Sequence, residues 1–255
     1  GAFSIIREAT EIATGVSYAV KIVDRAHVSA DDESNLFAEA RILRLCAKHP
    51  HIVRLLHHFI DPVRHFFVSE RMTGGELFDQ IVKRAVYTER DAALVMAQIL
   101  SALAHLSARS IVHRDVKPEN LLLDGTGDDA LLKLADFGFA AELPPPPGGL
   151  KEQCGTPSYV APEVLRSSNY RDEVDVWSAG VICFILLGGY PPFHDNNQNR
   201  LYMKIERGSF EFNPCYWGTI SDDAKDLIRK TLVRDRSQRL TAAAALEHKW
   251  FQYYG

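Results

Sequence analysis

Hydrophobic and polar positions alternate along residues 17–23, Ser-Tyr-Ala-Val-Lys-Ile-Val. The run is rich in β-branched side chains and predicts a strand with Lys21 at its middle. The period then changes. Leu36, Ala40 and Leu43 recur at helical spacing and predict a helix over 33–45. Residues 66–78 run from a strand through the Gly74-Gly75 break into another helix. Thr88 is a helix N-cap, and Val95, Ile99, Leu103 and Leu106 form the apolar stripe of a long helix over 88–107. Leu121-Leu122-Leu123 and Leu131-Leu132-Lys133-Leu134 flank the polar segment 124–129 and predict a hairpin. The aspartates of that segment lack the spacing of a calcium loop, so they read as a solvated turn. The most apolar run, 181–187, is far shorter than the ~20 residues a membrane span needs and predicts a buried core helix. Ser221 caps a further helix. Pro144 to Pro147, followed by Gly148-Gly149, predicts a stiff-then-flexible surface loop, with the alternative of a polyproline ligand for another domain. Strands with one helix up to residue 70, then mostly helices with short hairpins, predict a two-lobed α+β fold with a ligand cleft between the lobes.

Composition narrows the classes. The chain has 255 residues, 46% hydrophobic and 24% charged, enough for a substantial core or two lobes. A net charge of −4 argues against a general nucleic-acid binder and suits a basic peptide partner. Cys46, Cys154, Cys183 and Cys215 make no CxxC pair and read as free thiols of a reducing, cytoplasmic compartment. No secretory signal or spanning helix points to a membrane. His49-Pro50-His51 and His57-His58 are joined by no cysteine or carboxylate at ligand spacing, so they read as ordinary loop and strand histidines.

The chemistry concentrates in His113-Arg114-Asp115-Val116-Lys117-Pro118-Glu119-Asn120 and in Asp136-Phe137-Gly138. Asp115 can accept a proton and Lys117 can neutralise a phosphate, while Asn120 and Asp136 are oxygen ligands suited to Mg²⁺. These are the parts that phosphoryl transfer needs.

The two stretches resemble the catalytic and metal-binding loops of protein kinases, and further kinase-like motifs follow the same order over almost the whole chain. Gly1-Ala2-Phe3-Ser4-Ile5-Ile6 resembles the end of a glycine-rich loop, with Ser4 in place of the third glycine, which reads the chain as starting inside that loop. Ala19-Val20-Lys21 resembles the phosphate-binding strand, with Glu39 as the partner of Lys21 and Glu33 as the alternative. Residues 66–78 resemble the hinge, 154–163 the end of a serine/threonine kinase activation loop, and 175–180 the central helix of the large lobe. Thr-Gly-Gly-Glu-Leu-Phe-Asp at 73–79 and Gly-Gly-Tyr-Pro-Pro-Phe at 188–193 look like the calcium/calmodulin-dependent kinase group.

The resemblance implies a bilobal kinase catalytic domain, with the N-lobe at 1–70 and the hinge and C-lobe at 71–255, that uses ATP and Mg²⁺ on Ser/Thr hydroxyls of protein substrates near basic residues. It assigns Asp115 to the acceptor hydroxyl, Lys117 to the γ-phosphate and Asn120 and Asp136 to Mg²⁺. Thr156, with Lys117, marks Ser/Thr specificity. Lys21 and Glu39 take the α- and β-phosphates, and backbone groups of Glu70 and Met72 the adenine. Glu76 goes to the ribose and to a substrate arginine, against the plainer reading of a helix-start carboxylate. Ile6, Ala19 and Leu122 complete the nucleotide-binding set. Ser69 falls at the gatekeeper position, where a small side chain leaves a pocket behind the adenine. Asp175 holds the catalytic-loop backbone and Arg239 pairs with Glu163.

The activation loop is similar to that of the phosphorylase kinase catalytic subunit: Glu152 stands where many relatives carry a phosphorylated threonine, so it is expected to pair with Arg114 in that role. The plainer alternative is a loose solvated pair with Lys151. Control by calmodulin or another calcium sensor would act through a segment beyond the last helix that this sequence lacks. Two competing functions are a catalytically silent binding scaffold, disfavoured by the filled catalytic positions, and a small-molecule phosphotransferase, disfavoured by the 155–163 run.

Overall fold

The structure, a computed structural model, describes residues 4–83, 87–127 and 129–254. Gly1 to Phe3 of the glycine-rich loop and Asp128 of the 124–129 turn lie outside the described residues.

The first lobe is built on four antiparallel strands and one long helix. β1 (Ser4–Thr10) and β2 (Ser17–Asp24) are followed by α1 (Ala30–Cys46), β3 (Leu55–Ile60) and β4 (Arg64–Glu70), with sheet order β1-β2-β4-β3. Lys21 lies between Ile6 on β1 and Phe67 on β4, so the register sets one ammonium at the centre of the sheet. Helix α1 begins at residue 30, earlier than the apolar spacing predicts. Its start is dictated by polar chemistry instead: the Ser29 side chain accepts from the Asp32 N–H, and Asp31, Asp32 and Glu33 face the positive helix end. Its inward face carries Glu39, Ala40, Ile42, Leu43 and Cys46, a charged residue buried among apolar ones.

The second lobe begins with β5 (Gly75–Glu76) and α2 (Leu77–Lys83), then α3 (Glu89–Ser107). Thr88 and Asp91 close a capping box at the α3 start, and Ile99, Leu103 and Leu106 are buried as their spacing requires. Three short pairings follow. β6 (Ile111–Val112) pairs with β9 (Ala141–Glu142), while β7 (Leu121–Leu123) pairs with both β5 and β8 (Leu132–Leu134). The catalytic stretch thus sits between β6 and β7, and Asp136 between β8 and β9.

Helices fill the rest: α4 (Pro162–Leu165), α5 (Glu173–Gly188), α6 (Gln198–Arg207), α7 (Pro214–Trp217), α8 (Asp222–Thr231), α9 (Ala242–Leu246) and α10 (Lys249–Gln252). The apolar run at 181–187 lies within α5, whose residues from Val174 to Phe184 are all buried. Gly180 is needed there, because a Cβ would meet Thr231 Oγ1 at 2.5 Å and push α8 away. Trp177, Trp217 and Trp250 are fully buried. Burying a large apolar side chain stabilises by about 1.5–3 kcal/mol, so this helical core is the rigid base of the site.

The proline run folds as a closed turn rather than an extended ligand. The Gly148 N–H donates to Pro145 O at 2.9 Å, and the Asn169 amide donates to Pro147 O at 3.0 Å. Arg171 donates to both Pro144 O and Gly148 O. The histidines singled out above are engaged locally, His51 Nδ1 with Leu132 O at 2.9 Å and His58 Nε2 with His65 Nδ1 at 3.1 Å. Among the described residues no cluster of three His, Cys, Asp or Glu side chains could hold a metal. The four cysteines are free thiols. No described helix is long and apolar enough to cross a membrane.

Candidate active site

A cavity of about 480 Å³ opens between the lobes. Ile6 and Ala19 line it from the sheet, Glu70 and Met72 from the segment joining the lobes, and Leu122 from β7. The Met72 backbone N–H makes no hydrogen bond among the described residues. Ser69 lines the cavity together with the apolar Leu43, Leu55 and Phe137. Glu76 stands exposed in β5 and is not part of this lining.

Lys21 Nζ donates to Glu39 Oε1 at 2.8 Å and Oε2 at 3.1 Å, and reaches Asp136 Oδ1 at 3.5 Å. Glu33, the alternative partner, is taken by Arg25 at 2.8 Å and His65 at 3.2 Å. Burial works against the Lys21 charge, but Glu39 and Asp136 outweigh it and hold the ammonium above its ordinary pKa. Burial also raises Glu39, against the opposing pull of Lys21. For Asp136 burial pushes upward, yet Lys21 and the Gly138 N–H bring the carboxyl below its ordinary value. The result is an ammonium held by one buried carboxylate and offered beside a second, open one.

Asp115, Lys117, Asn120 and Thr156 form one hydrogen-bonded cluster. Lys117 Nζ lies 2.7 Å from Asp115 Oδ2 and donates to Thr156 Oγ1 at 3.0 Å. Thr156 donates to Asp115 Oδ1 at 2.8 Å, and Asn120 Nδ2 donates to Asp115 O at 2.9 Å. The Thr156 hydroxyl thus occupies the very kind of contact an alcohol would make with this carboxylate. Asn120 also lines the cavity, so it joins the cluster to the Lys21–Asp136 side.

The loop is held in place from behind. Arg114 has φ 69°, a backbone state that costs a non-glycine residue about 1–3 kcal/mol and persists only where surroundings over-determine it. Asp175 supplies that restraint by accepting from the N–H groups of His113 at 2.7 Å and Arg114 at 2.9 Å. Burial pushes the Asp175 carboxyl up to about 7 despite those two bonds. Burial keeps His113 below its ordinary pKa. Its Nε2 faces the Ala135 carbonyl at 3.1 Å and its Nδ1 faces the Asp115 N–H at 3.3 Å, which fixes a neutral ring protonated on Nε2. Arg114 then spreads its guanidinium over Phe139 O at 2.6 Å, Glu152 Oε2 at 2.8 Å and the Tyr170 hydroxyl at 3.4 Å. Gly155, at φ 95°, passes so close that a Cβ would sit 2.5 Å from Arg114 O.

The donor set suits Mg²⁺. Asn120 spends its NH₂ group on Asp115, which leaves its oxygen available, and Asp136 is half-open with Lys21 and Gly138 both on Oδ1. Hard oxygen donors from one or two side chains, completed by phosphates and water, are how proteins hold this ion.

The model of the protein kinase domain family matches residues 1–251. The chain belongs to that family. It is 46% identical over 253 residues to calcium/calmodulin-dependent protein kinase type II subunit delta of Oryctolagus cuniculus, covering 99% of this chain and 47% of the relative. The chain therefore spans about half the length of that relative. That relative is by name a calcium/calmodulin-dependent kinase, the group that the 73–79 and 188–193 motifs resemble.

Sequence reasoning missed several participants in this kinase domain. Tyr170 is buried and donates its hydroxyl to Glu152 O at 2.7 Å while facing Arg114. Arg71 and Glu8 pair at 3.2 Å, and both line the cavity. Lys133 holds the Glu70 carboxylate. Only Lys133 carried a local signal, as a lone charge inside an apolar strand.

Proposed function

We propose that this kinase domain transfers the γ-phosphoryl group of ATP to Ser/Thr hydroxyls of proteins, with residues 1–70 forming the N-lobe and 71–255 the hinge and C-lobe. The single observation that carries the reading is the Asp115–Lys117–Thr156–Asn120 cluster standing next to the Lys21–Glu39–Asp136 triad. Asp115 accepts the hydrogen bond of the incoming hydroxyl in the way it accepts that of Thr156, and orients the oxygen for attack. Lys117, tied to that carboxylate, sets a positive charge beside the transferred group. Lys21 is held in place by Glu39 and neutralises the neighbouring phosphates. Asn120 and Asp136 would hold Mg²⁺, which supplies charge neutralisation across the phosphates. Ile6, Ala19 and Leu122 sandwich the base, while the Glu70 and Met72 backbone reads its edge. Glu76, exposed in β5, is assigned in this reading to a ribose or a substrate arginine, which favours basic residues near the acceptor.

Glu152 takes the place of loop phosphorylation in this reading. It bonds Arg114 at 2.8 Å, and the arginine is 10% exposed against 69% for the glutamate. One carboxylate charge replaces the −1.5 to −2 of a phosphothreonine. Ala141 stands five positions after Asp136, where kinases with a phosphorylated loop often carry a basic residue. The relative's name ties that protein to calmodulin. Comparable control of this kinase by a calcium sensor belongs to the same reading.

The test is radiolabel transfer from ATP to serine and threonine peptides with and without flanking arginines. Transfer that prefers the basic peptides and disappears in Asp115→Asn supports the reading. Nucleotide binding without transfer in the unaltered protein would make it a scaffold.

A further inference from the structure

Glu70 closes β4 and begins the segment between the lobes. Its carboxylate accepts from Lys133 Nζ at 2.8 and 2.9 Å and from the Arg54 N–H at 2.8 Å. Its own N–H donates back to Arg54 O at 3.1 Å. Lys133 belongs to β8, and both its neighbours are sewn to the turn that precedes β3. The Val53 N–H donates to Leu134 O at 3.0 Å, the Leu134 N–H donates to His51 O at 2.9 Å, and His51 Nδ1 lies 2.9 Å from Leu132 O. Three segments from two lobes therefore meet at one carboxylate.

Two features separate this pair from an ordinary surface ion pair. Lys133 is 12% exposed and Glu70 23%, so solvent screens it weakly. Lys133 also stands directly opposite Leu122 across the β7–β8 ladder, and directly opposed residues share a face. Leu122 and Glu70 both line the cavity, whereas Lys133 does not. The lysine thus ties the floor of the cavity to its edge from outside it.

We propose that the Lys133–Glu70 pair is a strap that sets the spacing and angle between the Glu70–Met72 backbone and Leu122, making Lys133 a positioning residue for the adenine ring. This rests on the reading of residues 70–72 as the adenine edge. The strap acts on the base alone. In the proposed reading the phosphates fall to Lys21 and its partners Glu39 and Asp136, and the bonds of Lys133 go to Glu70 instead.

The experiment measures kcat and KM for ATP in Lys133→Met, with adenosine and inorganic tripolyphosphate as competitive inhibitors. Lys133→Met is expected to raise the ATP KM and the adenosine Ki by about tenfold, equivalent to ~1.4 kcal/mol. The tripolyphosphate Ki and kcat should stay within about twofold, since neither depends on the base. Lys133→Arg, which can give two parallel N–H bonds to the same carboxylate, restores the wild-type values. Should Lys133→Met fail to fold, Lys133→Gln carries the same comparison, because it keeps a polar group facing the Glu70 carboxylate and removes the charge of the pair. An unchanged adenosine Ki overturns the strap. So does an equal loss for adenosine and tripolyphosphate, which is the mark of a merely structural role. Photolabelling with 2-azido-ATP separates this from the underlying reading: label outside residues 69–72 removes the adenine assignment and the strap with it. Label at those residues with an unchanged adenosine Ki removes the strap alone.

Discussion

Two arginine–glutamate pairs hold the two ends of the activation segment, and they are built differently. At the base, Arg239 bonds Glu163 at 2.5 and 3.1 Å, with both side chains buried. The guanidinium also donates to Glu173 O and Val233 O and lies 5.0 Å from the Trp177 ring. At the cleft, Arg114 is nearly as buried, but its partner Glu152 is open to solvent. The Lys21–Asp136 contact has the same one-sided form. A pair sealed on both sides has no bond left to give and can serve only the fold. A pair with one open partner can respond to a ligand, a charge change or a substrate.

The largest effect should come from breaking the sealed pair. Arg239→Met leaves Glu163 buried without its partner, and removing one member of a buried pair costs about 3–5 kcal/mol. Thermal or denaturant unfolding should show that loss, or no folded protein at all. The open pair should behave in the opposite way. Glu152→Ala should change stability by no more than ~1 kcal/mol, as for exposed pairs. Its kcat should fall by about tenfold, ~1.4 kcal/mol in the barrier, because Arg114 loses the contact that ties the loop to the Asp115 stretch. Equal stability losses in the two variants would erase the distinction between base and cleft.

A smaller effect sharpens the same contrast through titration. Asp136 sits below its ordinary value of 3.8 largely because Lys21 offsets the effect of burial. The stability this gives is present above that ordinary value and is lost as pH falls through the lower folded value. Lys21→Met should move the Asp136 titration upward, read by carboxyl ¹³C NMR, and shrink the acid-side loss. The smallest effect is expected where no charge is involved. Ser69→Phe fills the rear of the cavity, touches neither pair, and should leave the ATP KM within about threefold while excluding ligands that extend behind the base.

Much of this was legible in the sequence, and the reason differs by region. Asp115, Lys117 and Asn120 lie within six positions of one another, so one short stretch exposes their chemistry. Lys21 and Glu39 could be paired because Ala19-Val20-Lys21 resembles the phosphate-binding strand of kinases, whose lysine takes a glutamate of the next helix as partner. The 88–107 helix was read closely because its apolar stripe and its cap agree. The start of α1 was not, since Ser29 and three acidic residues set it without any apolar period. The proline run shows the other limit. Its composition speaks of stiffness, but Asn169 and Arg171, more than twenty residues on, decide that it closes into a turn. Tyr170 beside Arg114, and Lys133 beneath Glu70, likewise depend on pairings that no local pattern encodes.

The most direct test asks whether Asp115 acts on the hydroxyl rather than on the nucleotide. Single-turnover transfer and ATP affinity should be measured side by side in the unaltered kinase and in Asp115→Asn. The expected result is a transfer rate lower by about 10²–10⁴-fold, the usual contribution of a positioned base, with ATP affinity within about threefold. Transfer at an undiminished rate, or a loss explained entirely by weaker ATP binding, would contradict the role given to this carboxylate.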